Sequence, residues 1–222
     1  MKATLINDSP ARSSIAIWVR IAKAPDDMPV AWICAALSRQ SFTVFEWETV
    51  YEFVWANTGK LISGKTIRAA ERIEAAVPTV RLERAGDSYR FIPIASAAKS
   101  ARRLTITTMD DIPQGVLAIG MNIRITSGIG QPGDAANVVQ AHPNMVRAWE
   151  TGEHYYANFG AIAQSEYDPE ILRKQPPLDL DFSAGPEIGV LLDSSNTLKQ
   201  LTDSQVDALI AGREFKRVVS MI

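Results

Sequence analysis

The polar and apolar positions of this chain alternate with a period of two over most of its length. In Ser14–Ile21, the residues Ile15, Ile17, Val19 and Ile21 fall on one face, as a strand with one buried side requires. Val116–Ile125 repeats the pattern: Leu117, Ile119, Met121, Ile123 and Ile125 alternate with Val116, Ala118, Gly120, Asn122 and Arg124. The densest block is Phe42–Trp55, where aromatic and β-branched residues are interleaved with Glu46 and Glu48. It runs through Asn57-Thr58-Gly59 into Leu61–Gly64. Three of the five tryptophans lie between Trp32 and Trp55, so the core is expected to form around this stretch.

Thr79–Arg84 and Tyr89–Ile94, joined by Ala85-Gly86-Asp87-Ser88, predict a hairpin. Arg103–Thr108, Val138–Ala141, Leu178–Phe182 and Ile188–Leu192 predict further strands. Val30–Leu37 is apolar throughout and fits either a doubly buried strand or a short helix. Thr66–Val77 sets Ile67, Ala70, Ile73 and Val77 at helix spacing, and a helix and an irregular strand both fit it. About ten short strands separated by turn residues argue for an all-β sandwich or barrel. The expectation is an antiparallel β-sandwich, jelly-roll-like, over residues 1–197.

Residues 198–222 change character. Thr202 or Asp203 can cap a helix whose apolar face is Val206, Leu209 and Ile210, with Gly212 at its end. Phe215, Val218, Val219, Met221 and Ile222 then form an apolar tail that is costly to leave in water. This tail is expected to pack on the domain or on a neighbouring subunit, and its five apolar residues are the candidates for self-association.

Composition excludes more than it assigns. With 222 residues, 46% hydrophobic and 22% charged, the chain is long enough for a substantial core and ordinary for a globular protein. A formal net charge of −2 gives no reason to expect nucleic acid or an anionic membrane as partner. Cys34 is the only cysteine and sits in an apolar run, which predicts a buried, inert thiol and no internal disulfide. The opening MKATLINDSP has no apolar leader, and no run approaches the roughly 20 apolar residues of a membrane helix. A cytoplasmic protein is expected.

Catalytic constellations are missing from the sequence. His142 and His154 are too far apart for a zinc pair on one helical turn, and there is no CxxC or GxSxG. Gly128-Ile129-Gly130-Gln131-Pro132-Gly133 lacks the Lys-Ser/Thr of a phosphate loop. Asp179 and Asp181, with Asp193, have the composition of a calcium site, but two acids at i and i+2 describe the solvent face of a strand better; Glu46 and Glu48 read the same way. No catalytic residue, metal or cofactor is assigned, and an enzyme is not expected. Trp55, Asn57, Asn144, Trp149, His154, Tyr155 and Tyr156 are the candidates for a surface that stacks on a carbohydrate or small aromatic ligand.

Several segments together resemble a known family. Met28-Pro29-Val30-Ala31-Trp32, Phe42–Trp47, Tyr51-Glu52-Phe53-Val54-Trp55 and Thr58-Gly59-Lys60-Leu61-Ile62-Ser63-Gly64 match, in order, the motifs of the bacterial RhiA family, named for a rhizosphere-expressed protein. Gly115–Met121, Val139-Gln140-Ala141-His142-Pro143-Asn144 and Tyr155–Gly160 are similar to its glycine-Met strand, Q-A-x-P-N turn and Y-W-x-x-F-G segment. The resemblance spans about residues 4–192. It implies a cytosolic β-sandwich expressed under population-density (quorum-sensing) control, without established enzymatic activity. Tyr156 replaces the family's tryptophan, and Leu198–Ile222 has no counterpart in the pattern. The expected role is a non-catalytic, self-assembling structural protein forming homo-oligomers; the alternative is a carbohydrate or small-ligand binding module.

Overall fold

The structure is a computed structural model that describes residues 1–21, 28–95, 102–128, 133–167 and 176–218. Val219, Met221 and Ile222, and most of the glycine-rich segment at 128–133, lie outside the described residues.

Strands dominate. In chain order they are β1 (Lys2–Asn7), β2 (Ser13–Ile21), β3 (Met28–Pro29), β4 (Ala31–Leu37), β5 (Ser41–Asn57), β6 (Lys65–Thr66) and β7 (Glu71–Glu74). The hairpin β8 (Thr79–Ala85) and β9 (Ser88–Pro93) follows, then β10 (Arg103–Thr108), β11 (Leu117–Gly128), β12 (Asn137–Gln140) and β13 (Val146–Glu150). The remainder are β14 (Glu153–Gly160), β15 (Glu166–Tyr167), β16 (Leu178–Leu180), β17 (Glu187–Leu192) and β18 (Leu198–Thr202). A helix, Asp203–Ala211, and β19 (Lys216–Arg217) complete the described chain.

The 17-residue β5 is the spine. Along one edge it pairs antiparallel with β1, from Lys2↔Glu46 to Asn7↔Ser41, and then with β7, from Glu52↔Glu74 to Trp55↔Glu71. Its other edge takes β11, from Asn57 to Phe45, with two register shifts near Ile125. β11 ends there, and β19 fills the remaining edge in parallel at Ser41 and Phe42. These strands belong to a nine-stranded sheet ordered β18-β17-β1-β5-β11-β12-β3.

Two four-stranded sheets form the second layer of the sandwich, β16-β14-β2-β4 and β13-β10-β8-β9. Odd-numbered residues of β5 reach both. Trp47 stands against Tyr155 of β14, while Phe53 and Trp55 meet Phe91 and Tyr89 of β9. One apolar core, which includes Ile15, Ile17, Val80, Leu82, Ile106 and Ile119, therefore runs under the whole spine.

The all-β sandwich expected from the period-two pattern is the observed fold. Strand order adds what periodicity cannot supply: β1 with β17, β8 with β10, and β5 with β19 are parallel pairs. Val30–Leu37 is resolved as a strand, with Trp32 and Ile33 fully buried. Thr66–Val77 is resolved as the irregular strand alternative. Ile67 turns into a second, smaller core with Val54, Ala56 and Ala118, and Glu71–Glu74 pairs with β5 beyond the end of β1.

The face of β11 that carries Ala118, Gly120 and Asn122 is buried as well. Gly120 is required there by close approach, since a Cβ would stand 1.9 Å from the Asn137 carbonyl oxygen.

The C-terminal segment packs on its own chain. β18 adds antiparallel to β17, and Thr202 caps the helix by accepting from the Gln205 amide while Gln205 returns the bond to the Thr202 amide. Val206 is the helix's one buried residue, seated over Gly189, where a Cβ would meet Val206 Cγ2 at 2.3 Å. Gly212 closes the helix, Arg213 pairs with Asp8, and the Val218 amide donates to the Phe42 carbonyl at 2.8 Å. Phe215 and Val218, both half-buried, thus belong to a strap that lies along the spine of the same chain.

Candidate interaction sites

Four aromatic rings knot together where β4, β5, β14 and the turn after β16 meet. Trp32 and Trp47 pack edge to face at 5.4 Å, and Phe182 caps Trp47 at 5.8 Å and Tyr155 at 5.4 Å. Trp47 Nε1 donates to Tyr155 Oη at 3.1 Å, and Trp32 Nε1 donates to the Ile123 carbonyl at 3.2 Å. Burial, and then the carboxylate of Glu153, hold the Tyr155 hydroxyl well above the usual phenol range. Tyr51 is raised to about 12, with burial again the leading cause. Both phenols stay protonated at neutral pH.

The other end of β5 is locked by polar contacts. Trp55 Nε1 donates to Glu71 Oε2 at 2.8 Å, and the same oxygen accepts the Phe91 amide at 2.9 Å. Gln140 acts as a clasp: its Oε1 accepts the Leu61 amide at 2.8 Å, and its Nε2 donates to the carbonyls of Gly59 and Leu117. Asn144 takes a left-handed turn conformation at φ 54°, which asparagine tolerates better than most residues.

Three adjoining clefts open beside the aromatic knot. One of about 430 Å³ is lined by Glu153, His154, Tyr155, Tyr156, Asp179 and Asp181, among others. The second, about 380 Å³, shares Asp181 with it and adds Glu187 and Asp203. A third, about 370 Å³, shares Glu187 with the second and adds Lys2, Glu46 and Glu48. Among the described residues, Lys2 is the one lysine or arginine on these three walls. It donates to Glu187 at 2.5 Å, which raises its own pKa and lowers that of Glu187. Asp181 is also held below the usual carboxylate range, because it accepts the Ser183 amide and then the Ser183 hydroxyl.

The sequence-derived ligand residues separate in space. His154, Tyr155 and Tyr156 come together in the 430 Å³ cleft, with His154 exposed and Tyr156 half-buried. Trp149 is 1% exposed on β13, and Trp55 is 5% exposed beneath Tyr89; both are interior residues. Asn57 and Asn144 are exposed, on the far end of β5 and on the turn before β13. Asp179 and Asp181 do share one cleft. Among the described residues no three His, Cys, Asp or Glu side chains are arranged to hold a metal ion.

Sequence reasoning passed over Glu153, Glu187 and Asp203. Each looks like an ordinary surface acid until β1, β14 and β17 bring them together beside the start of β1, against the middle of β5. Cys34 is half-buried, donates to the Ile162 carbonyl at 3.3 Å, and is raised to about 11, chiefly by burial. Its thiolate is scarce at neutral pH. Among the described residues no helix is long and apolar enough to cross a membrane.

Comparison with known proteins returned no curated protein and no solved structure that matches. A family model does match, over residues 1–186, the stretch that contains the aromatic knot, the Gln140 clasp and Gly120. By that match the chain belongs to the RhiA family.

Proposed function

We propose that this protein is a non-catalytic, self-associating structural β-sandwich. One observation carries the proposal: the polar groups of the motif residues are directed at other parts of the same fold. Trp32 bonds to β11, Trp47 to Tyr155, Trp55 to Glu71, and Gln140 to three main-chain groups. A signature used up in this way supports an architectural role, leaving the surface to act on other macromolecules. Another copy of the same chain in the cytoplasm is the partner proposed. The test is sedimentation velocity of the intact protein over a hundredfold range of concentration. Reversible growth beyond one chain is expected, and a single-chain species at every concentration would contradict it.

A second reading has its own support in the 430 Å³ cleft, where Tyr156 and His154 stand beside Asp179. This is a place for a small polar ligand such as a sugar. Calorimetry against a panel of mono- and disaccharides tests it: heat that Tyr156→Ala removes supports it, and silence with folded protein eliminates it.

A further inference from the structure

The two ends of β1 lie in surroundings of opposite charge. At the end where β1 begins, beside the middle of β5, the three adjoining clefts collect, among the described residues, seven carboxylates, Glu46, Glu48, Glu153, Asp179, Asp181, Glu187 and Asp203, against Lys2 and the Met1 ammonium. At the end where β1 stops, the chain reverses three times. Arg12 lies in the turn to β2, Arg39 in the turn from β4 to β5, and Arg213, Lys216 and Arg217 in the strap that lies beside Ser41. All five of these cations are exposed. The carboxylates beside them are Asp8, which Arg213 engages, and Glu214; Lys199 and Asp193 pair with each other at 2.7 Å.

β1 spans the two ends, with Lys2 opposite Glu46 and Asn7 opposite Ser41. At about 3.3 Å per residue the ends are roughly 17 Å apart, more than a Debye length of about 10 Å at 0.1 M salt. The two fields therefore do not cancel within one molecule, and each is presented to solvent.

We infer that copies of this protein associate through these two surfaces, the acidic end of β1 in one copy against the cationic end in another. This rests on the self-association proposed above and specifies its geometry. The contact uses two different surfaces, so it either closes as an antiparallel two-fold pair in which each copy gives both, or propagates into rings or filaments. Charge complementarity of this kind gives speed and specificity more than affinity, so the assembly is reversible and salt-sensitive. The strap contributes three of the five cations and lies beyond the family match, which makes the cationic end a feature of this chain's C-terminal segment.

The test uses two full-length charge-reversal proteins. Glu46→Lys and Glu48→Lys with Asp179→Lys leaves both ends cationic; Arg39→Glu with Arg217→Glu leaves both ends acidic. All five positions are exposed, and circular dichroism with a melting curve confirms that each variant is folded. Light scattering should show each variant alone at about the mass of one chain, its association weakened about tenfold or more. An equimolar mixture should assemble again, because the reversed ends now complement each other. A wild type that associates while the variants and their mixture behave like it would overturn the pairing of charged surfaces and leave self-association standing. A wild type that stays a single chain at low salt would overturn both.

Discussion

The spine and the strap make contrasting use of the same sheet. Around β5, side chains are committed on both faces: Trp47 is 1% exposed, Phe53 is fully buried, and Gly120 admits no Cβ. The strap from Leu198 to Val218 has a helix with one buried residue and a terminal strand of two residues. The spine lies within the family match, and the helix and β19 lie outside it. The matched region therefore holds most of the fold; beyond it β17 completes the sheet beside β1, and the helix and β19 alter what the sheet presents where β1 stops. Four substitutions test how far that contrast goes.

Trp47→Ala should have the largest effect, about 4 kcal/mol lost in urea unfolding, since it removes the centre of the knot and leaves Tyr155 without its donor. A loss below about 1 kcal/mol would show that the knot does not organise the core.

Gly120→Ala is next, at about 3 kcal/mol, because β12 must move away from β11 to admit the methyl group. Native-state hydrogen exchange should show amides of Asn137–Gln140 losing protection; unchanged protection there would mean that the two strands separate without cost.

In the strap, Thr202→Ala removes the capping box and should cost about 1 kcal/mol, seen as faster amide exchange in Asp203–Ala211 with the spine unaffected. An equal loss of protection along β5 would erase the distinction between the two regions.

The smallest effect belongs to the Lys2–Glu187 pair. Glu187 is depressed by Lys2, so its contribution is complete above its unfolded value of about 4.3 and is lost as pH falls through the lower folded value. Lys2 is raised by Glu187, so its contribution is present below about 10.4 and fades as pH rises through the higher folded value. A melting temperature insensitive to this pair is expected outside that window, and Glu187→Gln should lower it slightly within the window. A Glu187→Gln difference that persists unchanged at pH 2 would contradict the assignment.

Much of the fold was legible in the sequence. The period-two faces of β2 and β11, the β8–β9 hairpin and the capped helix follow from spacing and turn chemistry alone. Thr66–Val77 stayed ambiguous because Ile67 and Ile73 fit a helical face equally well. A tertiary demand settled it, since β5 runs on past the end of β1 and pairs with Glu71–Glu74 there.

The candidate surfaces were less legible. An aromatic residue in a strand looks the same in sequence whether it floors a cleft, as Tyr155 does, or fills a core, as Trp55 and Trp149 do. The charged ends were invisible for a related reason. Glu46, Glu153, Glu187 and Asp203 are scattered along the chain, and the strand order, with β17 parallel to β1, collects them.

The most direct measurement is the weight-average mass of the intact protein by light scattering as salt rises from about 20 mM to about 500 mM, across which the Debye length shrinks several-fold. Assemblies of two or more chains at low salt that dissociate toward one chain at high salt are the predicted result. A single chain throughout, or an assembly indifferent to salt, would contradict a structural protein built through its two charged ends.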